Sequence, residues 1–303
     1  MTLMPNEASD MSLSGRTLGG RYLVERRVGE GGTAHVYLAH DAESDDLVAV
    51  KVMLPQLISD PSLVDRLRRE AVIAMRLDHP NVCPITAVGE TEEGHVYLIM
   101  PYLPGEELAI RYARLGPLPV GDGIPLLVQV CRGLGHAHGL QILHRDLKPE
   151  NVMLVPDRGA EGGIRAVVMD FGLAKILQED PTLQRLTRSG FVLGTPEFMS
   201  PEQLMGKELD GRSDLYATGL LAFEMFTGRL PFEGKNMQEV ALARLKGPPL
   251  RLRSLQPALA EMLDAVIARA LAPNPADRFQ TMEQLGAAFA AVAEKAGVIS
   301  RCS

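Results

Sequence analysis

Between the apolar ends of LHRDLKPENVML (143–154), a His, an Arg, an Asp, a Lys and an Asn crowd into one short stretch. Asp146 could accept a proton from a hydroxyl, Lys148 could neutralise a phosphate oxygen, and Asn151 could ligate a metal. Further along, AVVMDFGLAK (166–175) reads as an apolar strand that ends abruptly at Asp170, followed by Phe171 and Gly172. A carboxylate at a strand end suits Mg2+, which prefers oxygen ligands and shares them with phosphates. Either stretch alone is compatible with surface decoration. Their joint presence with the features below points to chemistry on a phosphate ester.

Upstream, VGEGGTAHVY (28–37) sets Gly29, Gly31 and Gly32 around Glu30 and between two strands. Glycines there would let backbone N–H groups approach phosphates without obstruction from Cβ atoms. The plainer alternative is a glycine-rich hairpin turn. In LVAVKVM (47–53), Leu47, Ala49, Lys51 and Met53 share one strand face. A lysine among apolar neighbours either snorkels to water or meets a buried anion. A helix predicted over 61–77 supplies a candidate partner, because Glu70 falls in its stripe of Leu63, Leu67, Ala74 and Leu77. A carboxylate in a buried stripe is costly unless paired, and Lys51 and Glu70 would satisfy each other.

These residues need elements to hold them. Residues 1–18 read as a polar, flexible arm, and 19–292 as one large domain. Its first part, to about 103, is strand-rich with one helix starting at Asp60-Pro61, where Pro suits the first helical position. HPNVCPITAVGE and HVYLIMPYL are expected to form a further strand pair. Beyond Pro104-Gly105 the pattern is mainly helical to about 292, and 293–303 is a tail. Ile124, Leu127, Cys131, Leu134 and His138 lie at helical spacing, so His138 reads as a satisfied core histidine. SDLYATGLLAFEMF (213–226) is apolar nearly all round, as a helix buried in the larger part would be.

Bulk properties narrow the function. A net charge of −7 gives no broad basic footprint and argues against nucleic-acid binding. No apolar run reaches the ~20 residues that span a bilayer. MTLMPNEASDMSLSG lacks the apolar core of a signal peptide, and Cys83, Cys131 and Cys302 have neither metal nor disulfide-framework spacing. The expectation is a soluble protein of the cytoplasm.

The ordered set GEGG…HV, VAVK, Glu70, HPN, HRDLKPEN, DFG, GTPEFMSPE and RSDLYATG resembles the eukaryotic-type protein kinase domain, in particular the bacterial Ser/Thr kinases. The resemblance covers about residues 20–290. It implies an α+β, bilobal kinase-like fold, with a small β-rich N-lobe (about 19–103) and a larger mainly helical C-lobe (about 104–292). It also implies ATP with Mg2+, or Mn2+ in its place, as cofactors. Gly29, Glu30, Gly31 and Gly32 would cover the ATP phosphates. Val36, Ala49 and Met153 would enclose the adenine, and Met100, Pro101 and Leu103 would lie along its edge. Lys51 would hold the α- and β-phosphates, positioned by Glu70. Asn151 and Asp170 would ligate the metal, with Asp146 as catalytic base, Lys148 as γ-phosphate clamp and Glu107 at the ribose. Ala34 stands where a third loop glycine is usual, and Pro101 where a Glu is usual. Pro101 keeps the backbone carbonyl that the adenine contact uses.

Lys148 and Thr195 are similar to the Ser/Thr-specific pattern, which implies protein substrates with Ser or Thr acceptors. Thr187 and Ser189 lie where bacterial relatives carry phosphoacceptors, with Arg145 as a possible guanidinium partner. Glu202 is expected to pair with Arg278, and Asp214 to hold the backbone of the catalytic loop. A homodimer is implied by resemblance alone. Two alternatives stay open: a nucleotide-binding pseudokinase scaffold, and a kinase of small metabolites on a related fold.

Overall fold

The computed structural model describes residues 13–54, 61–171, 196–257 and 259–295. The chain divides into two compact units, Met1–Arg68 with Ile85–Tyr102, and Arg69–Pro84 with Leu103–Ser303.

The first unit is built on an antiparallel sheet of β1 (Thr17–Leu18), β2 (Tyr22–Glu30), β3 (Ala34–Asp41), β4 (Leu47–Met53), β5 (Ala87–Glu90) and β6 (Val96–Pro101), in the order β1-β2-β3-β4-β6-β5. Val24, Val48, Val50, Val52, Tyr97 and Ile99 belong to its buried core. Alternation places this set on one face. The other face of β4 is buried as well, at Ala49, Lys51 and Met53; Leu47, at the strand's end, is exposed. Arg21 donates two hydrogen bonds of 2.6 Å to Asp41, and this bidentate pair holds the Asp41 carboxyl well below its usual range.

Helix α1 (Pro61–Ala74) begins with Pro, as expected, and its first half belongs to this unit. It ends three residues before the predicted boundary at 77. Arg76 and Leu77 donate to Ile73 and Ala74 three residues back, tightening the last turn ahead of Pro80. Leu63, Leu67, Ala74 and Leu77 are buried, as their spacing requires, and Glu70 is half-buried. The strand expected from His79 onward is confined to Ala87–Glu90. Pro80 and Pro84 remove the donors a longer strand would need.

The second unit is mainly helical: β7 (Glu106–Glu107), α2 (Leu108–Leu115), α3 (Val120–Gly139), β8 (Val152–Pro156), β9 (Ile164–Val168), α4 (Pro201–Leu204), α5 (Gly211–Thr227), α6 (Met237–Lys246), α7 (Leu252–Leu255), α8 (Glu261–Ala270) and α9 (Met282–Lys295). Strands β7, β8 and β9 form a small antiparallel sheet. Residues 69–84 cluster here for visible reasons. The Asn81 side chain donates to the Ala166 carbonyl at 2.8 Å and to Gln129 at 3.1 Å, and Cys83 N–H donates to the Val168 carbonyl at 2.9 Å. Gly105 is required by close approach, since a Cβ there would fall 2.2 Å from the Leu154 carbonyl oxygen.

Helix α5 is buried nearly all round, as its composition predicts. The Asp210 side chain caps its first turn through Arg212 N–H at 2.9 Å, and Gly228 ends it with φ 75°. It contributes Asp214, 1% exposed, to the site described next.

Candidate active site

In the second unit the candidate side chains are delivered by the turn that leads into β8. Residues Pro149–Asn151 form a single 3₁₀ turn closed by Asn151 N–H on the Lys148 carbonyl at 3.0 Å. That turn folds Asn151 back onto Asp146. Its Nδ2 donates to the Asp146 carbonyl at 2.8 Å and lies 3.3 Å from the carboxylate Oδ2, and Lys148 Nζ stands 3.4 Å from the same oxygen. The structure therefore gathers Asp146, Lys148 and Asn151 as their types suggested.

Strand pairing brings the fourth residue alongside. Val152 pairs with Val168, and Met169 N–H donates to the Asn151 carbonyl at 2.8 Å, which places Asp170 at the neighbouring strand end. Asp170 holds a left-handed φ of 64°, and so does Arg145 at 66°. Such conformations cost non-glycine residues about 1–2 kcal/mol each and persist where surroundings enforce them.

The enforcement is visible at Arg145. Asp214 accepts the N–H groups of His144 and Arg145, both at 2.9 Å, and His138 Nε2 at 2.7 Å. Burial works to raise the Asp214 carboxyl, but His138 and the His144 amide hold it below the usual carboxylate range. This is the backbone-holding role expected of Asp214, and His138 is satisfied as expected. His144 is fully buried, 2.7 Å from the Met169 carbonyl through Nε2, and accepts Asp146 N–H on Nδ1 at 3.3 Å. Those partners assign the hydrogen to Nε2 and use the lone pair of Nδ1. His144 is scaffolding, edge-on to Phe171 at 4.7 Å, and Asp146 remains the group able to take a proton.

Burial pushes the Glu107 carboxyl up, with Glu150 and Asp170 adding to the shift and Lys148 opposing it. Burial also pushes Glu224 up to about 7, with Glu150 and Glu197 adding to the shift. A divalent cation fits this donor set. The amide nitrogen of Asn151 is committed to Asp146, which leaves its oxygen as a hard ligand, and Asp170 would add a carboxylate.

In the first unit, Gly29 lies opposite Val36 across β2 and β3, and Gly31 N–H donates to the Ala34 carbonyl at 3.0 Å. None of Gly29, Gly31 or Gly32 has a positive φ, and a Cβ on any of them would meet nothing closer than 3.5 Å. The hairpin itself does not require these glycines, which fits a backbone kept bare for an outside ligand such as a triphosphate. Lys51 lies opposite Val36 on β4 and is 8% exposed, with Ala49 also buried. Met100, also buried, and Pro101 end β6, and Leu103 follows in the second unit. Met153 and Glu107 face each other across β8 and β7. Gly172, Thr187, Ser189 and Thr195 lie outside the described residues.

The segment after 195 is held by contacts absent from the sequence reading. Arg244 on α6 is fully buried and donates to the carbonyls of Pro196 (2.8 Å), Met199 (2.6 Å) and Glu197 (2.6 Å), with its guanidinium over the Phe232 ring. A guanidinium that bonds carbonyls leaves no matching acid in the sequence to betray it. Arg244→Met should destabilise the protein by about 2–3 kcal/mol, since hydrogen bonds to charged groups are worth about 1.5–3 kcal/mol each and partial relaxation is expected. Urea unfolding of the variant beside the parent reads the difference. By contrast, the expected Glu202–Arg278 pair is present, with both carboxylate oxygens engaged at 2.7 and 2.9 Å.

Comparison with known proteins agrees with this geometry. The protein kinase domain model matches residues 22–289. The serine/threonine-protein kinase pkn3 of Myxococcus xanthus is 40% identical over 280 residues, covering 92% of this chain and 51% of that protein. PrkC of Bacillus subtilis is 35% identical over 275 residues, covering 91% of this chain and 41% of that protein. Among solved structures, the kinase domain of Mycobacterium tuberculosis PknI superposes with a TM-score of 0.72 at 30% identity, covering 92% of this chain and 99% of that one. The β-rich first unit, the mainly helical second unit and the Asp146 loop are those of a protein kinase. The chain belongs to the eukaryotic-type protein kinase family, of the serine/threonine kind found in bacteria. It spans about half the length, or less, of the curated relatives it matches. The family uses ATP and a divalent metal. Among the described residues, no helix is long and apolar enough to cross a membrane.

Proposed function

We propose that this chain transfers the γ-phosphoryl group of ATP to Ser and Thr hydroxyls of protein substrates, with Mg2+ as the metal. The observation that carries the reading is Asp146, whose carboxylate sits 3.4 Å from Lys148 Nζ and 3.3 Å from Asn151 Nδ2, on a loop whose amides are fixed by a buried aspartate.

Mg2+ held by Asn151 and Asp170 would supply charge neutralisation on the phosphates, the larger part of what a loose, anionic transition state needs. The chain's own residues do the rest. Asp146 orients the acceptor hydroxyl and takes its proton. Lys148, 3.4 Å from the Asp146 carboxylate, lends positive charge to the transferring group. Lys51, for which Glu70 is the expected partner, would receive the α- and β-phosphates, and the bare backbone at Gly29–Gly32 would cover them. Val36, Ala49, Met100, Pro101, Leu103 and Met153 accommodate the base, and Glu107 the ribose. The same reading includes a cytoplasmic setting, no nucleic-acid partner and a capacity to self-associate, the last resting on family resemblance.

The test mixes purified protein with Mg-ATP and a generic basic protein, beside an Asp146→Asn control. Phosphate on Ser and Thr that depends on Asp146 supports the proposal. Nucleotide binding without transfer would make the chain a scaffold, and transfer only to small molecules would reassign its substrate class.

Thr187, Ser189 and Thr195 extend the reading to control and specificity. Phosphate on Thr187 or Ser189 would add a dianion able to bind a guanidinium such as Arg145 and raise activity. Autophosphorylated parent protein should be at least about tenfold more active than a Thr187→Ala/Ser189→Ala double variant, a scale set by one or two charge-assisted hydrogen bonds. Equal rates for the two proteins would remove the regulatory part and leave the catalytic part standing.

A further inference from the structure

The peptide plane between Arg145 and Asp146 is fixed at both of its polar ends. Its N–H belongs to Asp146 and donates to His144 Nδ1 at 3.3 Å, and its carbonyl belongs to Arg145 and accepts Gln203 Nε2 at 2.8 Å. The preceding plane is fixed by Asp214 through Arg145 N–H. Of these three anchors, His144 and Asp214 come from or beside the catalytic loop's own support. Gln203 comes from elsewhere, the short helix α4 that follows the segment clasped by Arg244.

Gln203 carries two separable tasks on one amide. Its Oε1 accepts Ser200 N–H at 2.9 Å while Ser200 Oγ accepts Gln203 N–H at 3.3 Å, a reciprocal cap on α4. Its Nε2 is then the only part of the head group left to reach the Arg145 carbonyl. The amide orientation is forced, because turning it over would set donor against donor at Ser200 and acceptor against acceptor at Arg145. Capping alone does not explain a glutamine here, since glutamate fills the third helical position of such caps equally well. The donor to Arg145 is what requires an amide.

We propose that Gln203 is a positioning residue for catalysis: its side-chain N–H holds the Arg145–Asp146 peptide plane, so that the segment preceding α4 and the base Asp146 are set in one register. The proposal rests on the kinase reading above and adds to it how the base is aimed. Left-handed φ at Arg145 is the conformation that hydrogen bonding on both sides maintains. Releasing the carbonyl frees that peptide to turn, and a small error at the base is amplified in rate.

Gln203→Glu separates the two tasks. Glutamate keeps the acceptor that caps α4 and loses the donor to Arg145, placing a carboxylate against a carbonyl. Thermal stability should therefore stay close to that of the parent. At pH 8, kcat should fall by roughly tenfold, the scale of one hydrogen bond to a positioned group, with KM for ATP unchanged. As pH is lowered towards 5.5, the protonated carboxyl regains an O–H to donate, so the ratio of variant to parent kcat should climb. Gln203→Met, which loses both functions, should show a deficit that does not vary with pH. Hydrogen exchange supplies a readout independent of turnover: amides of residues 143–147 should exchange faster in Gln203→Glu at pH 8 and return towards parent rates in acid, after correction for intrinsic exchange. A flat, near-unity activity ratio, or equal pH-independent deficits in both variants with unchanged exchange at 143–147, would overturn the proposal. A parent that transfers no phosphate would instead defeat the kinase reading, and the exchange experiment would still judge the contact.

Discussion

Asp146→Asn is expected to lower kcat for protein phosphorylation by about 10²–10⁴-fold, the range for removing a positioned acid–base group. The substitution keeps the size of the side chain and an oxygen facing Lys148 and Asn151, so the loop should keep its fold. What changes is the charge and the ability to take a proton. In the parent, Oδ2 faces two donors, Lys148 Nζ and Asn151 Nδ2. An amide there either turns its NH2 toward those donors or presents a neutral oxygen that cannot accept the hydroxyl proton. Nucleotide affinity should change by no more than about twofold, because an interaction used only in the transition state affects kcat and kcat/KM alike. Steady-state kinetics with calorimetric titration of Mg-ATP separates the two effects. A variant within threefold of the parent in kcat would show that the proton goes elsewhere, and the role given to Asp146 would fall.

The ease of naming Asp146 from sequence follows from where its partners lie. Lys148 and Asn151 are two and five residues away, so one tight turn brings all three together and their types show on a linear reading. Asp170 is legible for a related reason: an apolar strand that stops at a carboxylate marks a strand end, and β8–β9 pairing carries it to Asn151. The first unit's strands were visible from alternation, although the strand expected from His79 starts only at Ala87, because Pro80 and Pro84 cannot donate. Helix α1 ends early for a local reason, the tightened turn at Arg76 and Leu77.

The contacts that hold the loop are a different matter. Gln203 reaches the Arg145 carbonyl across 58 positions, and Arg244 reaches the Pro196 carbonyl across 48. Both bond main-chain oxygen, which every residue offers, so neither leaves a complementary side chain to be matched. Ser200 and Gln203 do spell a cap three residues apart, and that signal was available. The second use of the glutamine amide was not, because it depends on tertiary placement. Glu202 and Arg278 stand between these cases: two opposite charges, foreseen through family resemblance and found with both carboxylate oxygens engaged.

That pair gives the largest expected effect on stability. Arg278 is fully buried, donates to both oxygens of Glu202 and to the carbonyls of Arg212, Ala272 and Pro273, and lies over the Tyr216 ring. Arg278→Met should destabilise the protein by about 3–5 kcal/mol, the cost of stranding one member of a buried pair, or on the order of 10 °C in Tm. Most of that cost is the orphaned carboxylate, which among the described residues keeps only Ser213 Oγ at 2.8 Å as a side-chain donor. Its pH dependence follows. In the parent, burial pushes the Glu202 carboxyl up, and Arg278 more than offsets this, leaving it below its usual value. The pair's contribution is therefore complete above the ordinary carboxylate range and is lost as pH falls through the depressed folded value. In Arg278→Met the burial remains without its counterweight, so Glu202 titrates above its unfolded value, and acid relieves the variant while it weakens the parent. The gap in Tm should narrow steadily from pH 7 to pH 4. Adding Glu202→Gln to Arg278→Met should recover much of the loss at pH 7 by removing the buried charge. A gap that is constant with pH, together with no recovery in the double variant, would mean that lost packing and the freed carbonyls, rather than the stranded carboxylate, set the cost.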